Sequence, residues 1–358
     1  MSSISAASDR DLLVELVRIP SVSTNEGDAV DYLVARMRDR GFASRVDETG
    51  NAIGEIGDGP VHVALVGHID TVPGDIPVRV DDGEVVGRGA VDAKGALAAF
   101  VAAATAPPDG VRVSVVGAVE EEHPSSRGAR AIASWLPPAY CVIGEPSGWD
   151  AITVGYKGSL QVRVRLDRSA RHGAHEGSSI AEDGFALFAE LRRRATARVA
   201  DANPFQRLDC RLASIVAVPG DGLNERAELV VAYRLPPGIE TAELVAEARD
   251  VAGDVEVLGA EEPIKASRAT PLARAFHGAI RREGGEPRFK VKTGTSDMNV
   301  LGPKWGCPIL AYGPGDSRFD HTPRERLDLA EYGRSISVLR GVLATLGALP
   351  AGVETPAS

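Results

Sequence analysis

Residues 61–95, VHVALVGHIDTVPGDIPVRVDDGEVVGRGAVDAKG, open with an apolar run that ends in His68-x-Asp70 and close with a lone aspartate, Asp92, in a glycine-rich turn. An apolar run with so little alternation is the pattern of a strand covered on both faces. Residues 111–119 (VRVSVVGAV) and 140–143 (YCVI) repeat the pattern, and each run delivers acidic side chains soon after its end: Glu120, Glu121 and Glu122 after the first, Glu145 after the second. Helix-period segments lie between such runs. Residues 26–40 carry Val30, Leu33, Val34 and Met37 and stop at Gly41, while residues 93–104 read as a helix buried on most sides. Ser8, with Asp11 three residues on, is expected to cap the first helix. The first 150 residues therefore predict an α/β sheet sandwiched between helices.

The periodicity then changes. Residues 156–166 (YKGSLQVRVRL) alternate polar and apolar side chains, the mark of a strand with one wet face. A helix at 180–198, strands at 212–218 and 227–235, a helix at 241–251 and a strand at 255–259 follow. This β-α-β-β-α-β order predicts a small α+β domain, residues 155–265, inserted into a larger one made of residues 1–154 and 266–358. The buried pattern resumes with a helix at 271–283, strands at 289–292 and 308–312, and a last helix at 328–346.

Composition narrows the function classes. A formal charge of -10 over 358 residues argues against a nucleic-acid binder and a polybasic membrane tether. No apolar run approaches the roughly 18 residues of a membrane span. MSSISAASDRDLL lacks a basic segment followed by an apolar one, so a cytoplasmic protein is expected. Cys141, Cys210 and Cys307 have no CxxC spacing and read as thiols in a reducing compartment.

Strand carboxyl ends in open α/β sheets face the crevice where ligands bind. Imidazole nitrogen and carboxylate oxygen at several such ends are the donors that zinc-like ions take. His68 is a candidate ligand there or a structural histidine, and Asp70 a second ligand or the carboxylate that orients the imidazole. Asp92 is either a helix N-cap or a carboxylate that bridges two cations. Three adjacent glutamates repel one another, so at a buried strand end cations or protons must neutralise some of them. His321 lies in a polar loop, GDSRFDHTPRE, before the last helix. Each position has a bland reading of its own; the ordered set on one α/β frame points to a catalytic metal site.

GHIDTVP, GRGAVDAKG, the EEE run, GEPS and HTPRE together resemble the zinc metallopeptidase and deacylase family of acetylornithine deacetylase, succinyl-diaminopimelate desuccinylase, aminoacylase and glutamate carboxypeptidase. The likeness covers nearly the whole chain. It implies a mixed-sheet catalytic domain with helices on both faces and an inserted lid and dimerisation domain. It also implies two divalent metal ions, zinc or alternatively cobalt. His68, Asp92 and Glu145 would hold one; Asp92, Glu122 and His321 would hold the other. Aligning Glu120 with the family's usual aspartate makes Glu121 the general base, and Asp70 becomes the partner of His68. A small-domain histidine, His175 or alternatively His172, would stabilise the oxyanion in a neighbouring subunit, which implies a homodimer. Asn224, Arg234 and Asp297 would contact substrate.

GEPSGWDAITVGYKGSL, EEEHPSSRGAR and KTGTSDMN most resemble the short members that release lysine or ornithine from a small acidic amino-group carrier protein, LysW, by hydrolysing an amide to its C-terminal glutamate. Lysine and arginine biosynthesis is the implied setting. Lys290, Lys292, Lys304 and Arg192–Arg194 are candidates for a basic rim. The alternatives are a deacylase of free N-acetylornithine or N-acetyllysine, and a catalytically inactive homologue that only binds metal or peptide.

Overall fold

The three apolar runs become neighbouring parallel strands, with Val61–His68 between Val111–Ala118 and Tyr140–Gly144. Val63, Ala64, Leu65 and Val66 are each at most 2% exposed, so both faces of the sheet are covered. The computed structural model describes residues 6–170, 177–198, 203–219 and 223–349. The chain divides into a unit of Met1–Val154, Ala266–Lys290 and Ser296–Ser358 and a unit of Gly155–Lys265 and Val291–Thr295. The sheet of the first unit is mixed. Ala52–Ile56 runs antiparallel to Val111–Ala118 and is itself paired with Ala43–Val46, while Ile309–Tyr312 runs parallel to Tyr140–Gly144. Beyond Ile309–Tyr312 lies Ala151–Tyr156, antiparallel to it.

One close approach positions the functional residues. Gly67 pairs in register with Gly117 on one side and Gly144 on the other. A Cβ on Gly67 would stand 3.3 Å from Leu97, and one on Gly144 would stand 2.9 Å from the Phe100 ring. The helix Lys94–Ala104, buried at all eleven positions, therefore lies directly on this glycine row. Its N-terminus, and Asp92 just before it, are thereby held against the strand ends. One local expectation is corrected and one element is added. The first helix is Ala6–Arg18, so Ser8 sits inside its first turn; Ala6 and Ala7 are strong helix formers and extend it past the expected cap. Residues 297–305, where the sequence pattern assigns no element, form the helix Asp297–Trp305, started by a capping box between Ser296 and Asn299.

The second unit has the strand order Asp209–Pro219, Asn224–Leu235, Gly158–Ser169, Val255–Glu261, antiparallel throughout. The alternating residues Leu160, Val162 and Val164 share a core with Leu229, Val231 and Tyr233 and with Leu191 and Leu244 of the helices Ile180–Arg198 and Thr241–Ala252. Among the described residues no helix is long and apolar enough to cross a membrane.

Candidate metal centre and active site

Parallel pairing in register makes three strands deliver their next residues to one edge of the sheet. His68 is the last residue of its strand, Glu145 immediately follows Tyr140–Gly144, and the glutamate run begins two residues after Val111–Ala118. Asp92 completes the set. Its Oδ1 lies 3.2 Å from Nε2 of His68 and its Oδ2 3.1 Å from Nε2 of His321. One carboxylate thus addresses two imidazoles with its two oxygens, as a bridging ligand must. The N-cap alternative for Asp92 is not realised: the capping position is Ala93, with no side-chain cap. The Asp92–Ala93 peptide bond is cis.

Three overlapping groups place potential ligand atoms within 4.8 Å of one another: His68, Asp92 and Glu145; His68, Glu121 and Glu122; and Asp92, Glu122 and His321. Glu122 Oε1 is 2.7 Å from His321 Nε2. Glu120 stands apart. Its backbone turns through the left-handed region, φ 60°, and its carboxylate accepts from Arg127 Nε at 2.9 Å and from Ser125 Oγ. His321 is also left-handed, φ 57°, a conformation that costs a non-glycine residue about 1–3 kcal/mol and is found disproportionately at functional sites.

Asp70 does more than face His68. Fully buried, it accepts from Ser23 Oγ at 2.7 Å and from the backbone N–H groups of Glu121 and Glu122, both at 3.0 Å. Nδ1 of His68 lies 3.0 Å from the Asp70 carbonyl and 3.4 Å from its carboxylate. Burial pushes the Asp70 carboxyl up, but the hydrogen bond and charge of His68, then Ser23 and the Glu122 amide, hold it below its ordinary value. Glu331 Oε1 accepts from Trp149 N and Gly315 N, both at 3.0 Å, and so ties the loop after Glu145 to the loop before His321.

Electrostatics decides whether this donor set fits cations. Burial raises the Glu121 carboxyl well above the carboxylate range; His68 opposes the shift, and Glu145, Glu122 and Asp297 add to it. Hydrogen bonds to Asp92 and Glu122 carry His321 to about 10. Burial opposes charge on His68, yet its bonds to Asp70 and Asp92 raise it well above the imidazole range. The pocket therefore demands positive charge. The buried Lys94 gives its ammonium to the Ile19 carbonyl at 2.6 Å, and burial lowers it to about 8. Two imidazoles and four clustered carboxylates match what zinc-like ions take, so the residues fit a pair of divalent cations.

The remaining candidates lie elsewhere. Asp297, 2% exposed, is in the first turn of its helix and close enough to bear on Glu121. Asn224 and Arg234 belong to the second unit, where Arg234 donates to Thr295 Oγ1 at 3.3 Å and lines a cavity of about 300 Å³ with Ser159, Gln161, Arg207 and Arg211. His172 and His175 lie outside the described residues. Of the candidate rim, Arg193 and Arg194 pair with Glu190, and Lys290 donates to the Ser147 carbonyl at 2.6 Å. Sequence reasoning gave no role to Ser23 or to Glu325, the last residue of HTPRE; both are polar residues in loops.

A profile described as peptidase family M20/M25/M40 matches residues 64–345. The [LysW]-lysine hydrolase of Deinococcus radiodurans is 46% identical over 355 residues, covering 95% of this chain and 98% of that protein. The [LysW]-lysine/[LysW]-ornithine hydrolase of Saccharolobus islandicus is 27% identical over 90% of this chain and 91% of that protein. Among solved structures, an M20 family metallo-carboxypeptidase of Sulfolobus solfataricus superposes with a TM-score of 0.75 at 19% identity, covering 98% of this chain and all of that one.

Proposed function

The chain belongs to peptidase family M20/M25/M40, and from that premise we propose that it is a dinuclear metal-dependent amidohydrolase that releases lysine or ornithine from an amino-group carrier protein of the LysW type. The scissile bond is the amide between the released amino acid and the carrier's C-terminal glutamate. The observation that carries the chemistry is Asp92 with its two oxygens on His68 and His321, beside the part-buried Glu121. His68, Asp92 and Glu145 would hold one cation, and Asp92, Glu122 and His321 the other. When bound, such a pair supplies Lewis acidity and a water acidic enough to ionise near neutral pH. Glu121 takes the proton of the attacking water and returns it to the leaving amine. Asp70 orients His68 and fixes the backbone that carries Glu121 and Glu122. Substrate choice rests on the Deinococcus relative, similar over nearly its full length.

The second unit supports a homodimer as the working form. Asn224 and Arg234 begin and nearly end one 12-residue strand. Ten residues of strand separate them by roughly 33 Å, too far for both to touch the released amino acid in a single chain. If both contact that amino acid, two chains share each site, which is also what the oxyanion role of His175, or His172, requires.

An amine-release assay tests the reading, with carrier-linked lysine, carrier-linked ornithine and free N-acetylornithine offered in parallel. The carrier-linked substrates are expected to turn over and acetylornithine to lag far behind; the reverse order would replace this function with a free-substrate deacylase. Asp297, buried next to Glu121, is proposed to pair with the ammonium of the released side chain. Loss of one charged hydrogen bond, about 1.5–3 kcal/mol, predicts that Asp297→Asn lowers discrimination between lysine and a neutral amino acid about 10- to 100-fold. Unchanged discrimination would remove that role.

A further inference from the structure

Glu325 is a fully buried carboxylate four residues after His321, and nothing in the proposed chemistry uses it. Its contacts all lead to the loop that ends in Asp92. Oε1 accepts from the backbone N–H of Val91 at 3.0 Å and of Asp92 itself at 3.1 Å. Oε2 accepts from Arg88 Nη1 at 2.7 Å, and the Glu325 carbonyl accepts from Gly87 N at 3.3 Å. Arg88 is held in turn by the Gly74 carbonyl, which accepts from its Nε at 3.1 Å. Residues 87–92 are therefore wrapped around one side chain that belongs to the segment carrying His321. The two loops that bring Asp92 and His321 to 3.1 Å are joined through this carboxylate.

We propose that Glu325, fixed by Arg88, is a positioning residue that sets the Asp92 carboxylate between His68 and His321 and thereby sets the affinity of the centre for divalent cations. The inference rests on the reading of Asp92 as a shared ligand. Charge and shape are both needed. A glutamine at 325 has one acceptor oxygen; if it faces the two amides, its NH2 confronts the Arg88 guanidinium, and if it turns over, the NH2 confronts the amides. No orientation satisfies both sides, so the Asp92 loop must shift. Outer-shell partners of ligating residues typically change metal affinity 10- to 100-fold when replaced.

The test is a competitive titration of zinc, and of cobalt with its visible spectrum, against a chromophoric chelator, with no substrate present. Glu325→Gln is expected to fold, by circular dichroism and thermal midpoint, and to bind the weaker of two cations 10- to 100-fold less tightly with an altered cobalt spectrum. A purely structural role would lower the thermal midpoint while the folded protein kept wild-type affinity and spectrum, and that result overturns the proposal. Should Glu325→Gln not fold, Arg88→Met carries the test: affinity is expected to fall severalfold and to recover in Arg88→Lys, and wild-type affinity in Arg88→Met overturns the proposal. A wild-type protein that takes up no zinc or cobalt would instead remove the reading of Asp92, and the proposal with it.

Discussion

Glu121→Ala is expected to lower kcat by about 10²–10⁴-fold, the usual contribution of a positioned general acid–base, while the protein still takes up two equivalents of zinc. The expectation comes from how the structure separates three chemically identical neighbours. Glu120 is committed to Arg127 and Ser125. Glu122 lies against His321, in the group that also holds Asp92. Glu121 shares a candidate ligand group with His68 and Glu122, and burial with the nearby Glu145, Glu122 and Asp297 raises its carboxyl against the opposing charge of His68. A carboxylate with raised proton affinity that no salt bridge consumes is suited to accept a proton and hand it on. Glu122→Ala is the control: it should lose cation affinity along with activity. If Glu121→Ala lost zinc and Glu122→Ala kept it, the two roles would be exchanged. Robust hydrolysis by Glu121→Ala would eliminate it as the base.

What the sequence discloses and what it hides follows from which constraints are local. The three apolar runs announce a buried parallel sheet because side chains on both faces must be apolar, and every residue reports on that. The placement of His68, Glu121, Glu122 and Glu145 on one edge then follows from strand direction alone. Asp92 is different. An aspartate between a glycine turn and a helix looks the same whether it caps the helix or bridges two imidazoles, and only contacts to residues 24 and 229 positions away separate the cases. The division of labour within the glutamate run depends on the left-handed backbone at Glu120, which no glycine signals. Helix Asp297–Trp305 was missed because its capping box uses Asn299 in place of glutamate and because Pro303 lies within it. Glu325 closes the HTPRE stretch, but its role is hidden for a related reason: a glutamate between two arginines in a polar loop reads as a solvated charge, yet it is fully buried.

Asp70→Asn is expected to match Glu121→Ala in severity, lowering kcat about 10²–10⁴-fold, and in addition to weaken zinc binding about 10- to 100-fold. The side chains are nearly isosteric, so the effect isolates hydrogen-bond polarity. The aspartate presents acceptors only, and its surroundings present donors: the Ser23 hydroxyl and the Glu121 and Glu122 amides. An asparagine must turn its NH2 toward at least one of them. With Oδ1 toward His68 and the Glu121 amide, the NH2 opposes the Glu122 amide; with the NH2 toward His68, it opposes the Glu121 amide and the imidazole loses the carboxylate that holds its Nδ1 side. A buried donor without an acceptor costs about 1–3 kcal/mol, and relief comes only by moving the segment that carries Glu121 and Glu122 or by tilting His68. Either movement displaces a proposed ligand and the base together, which is why kcat and cation affinity should fall in the same variant. Ser23→Ala removes one donor and leaves both amides in place, so it should cost little in either measurement. Wild-type kcat in Asp70→Asn, confirmed with fully metallated protein, would show that the glutamate run holds its position without this carboxylate.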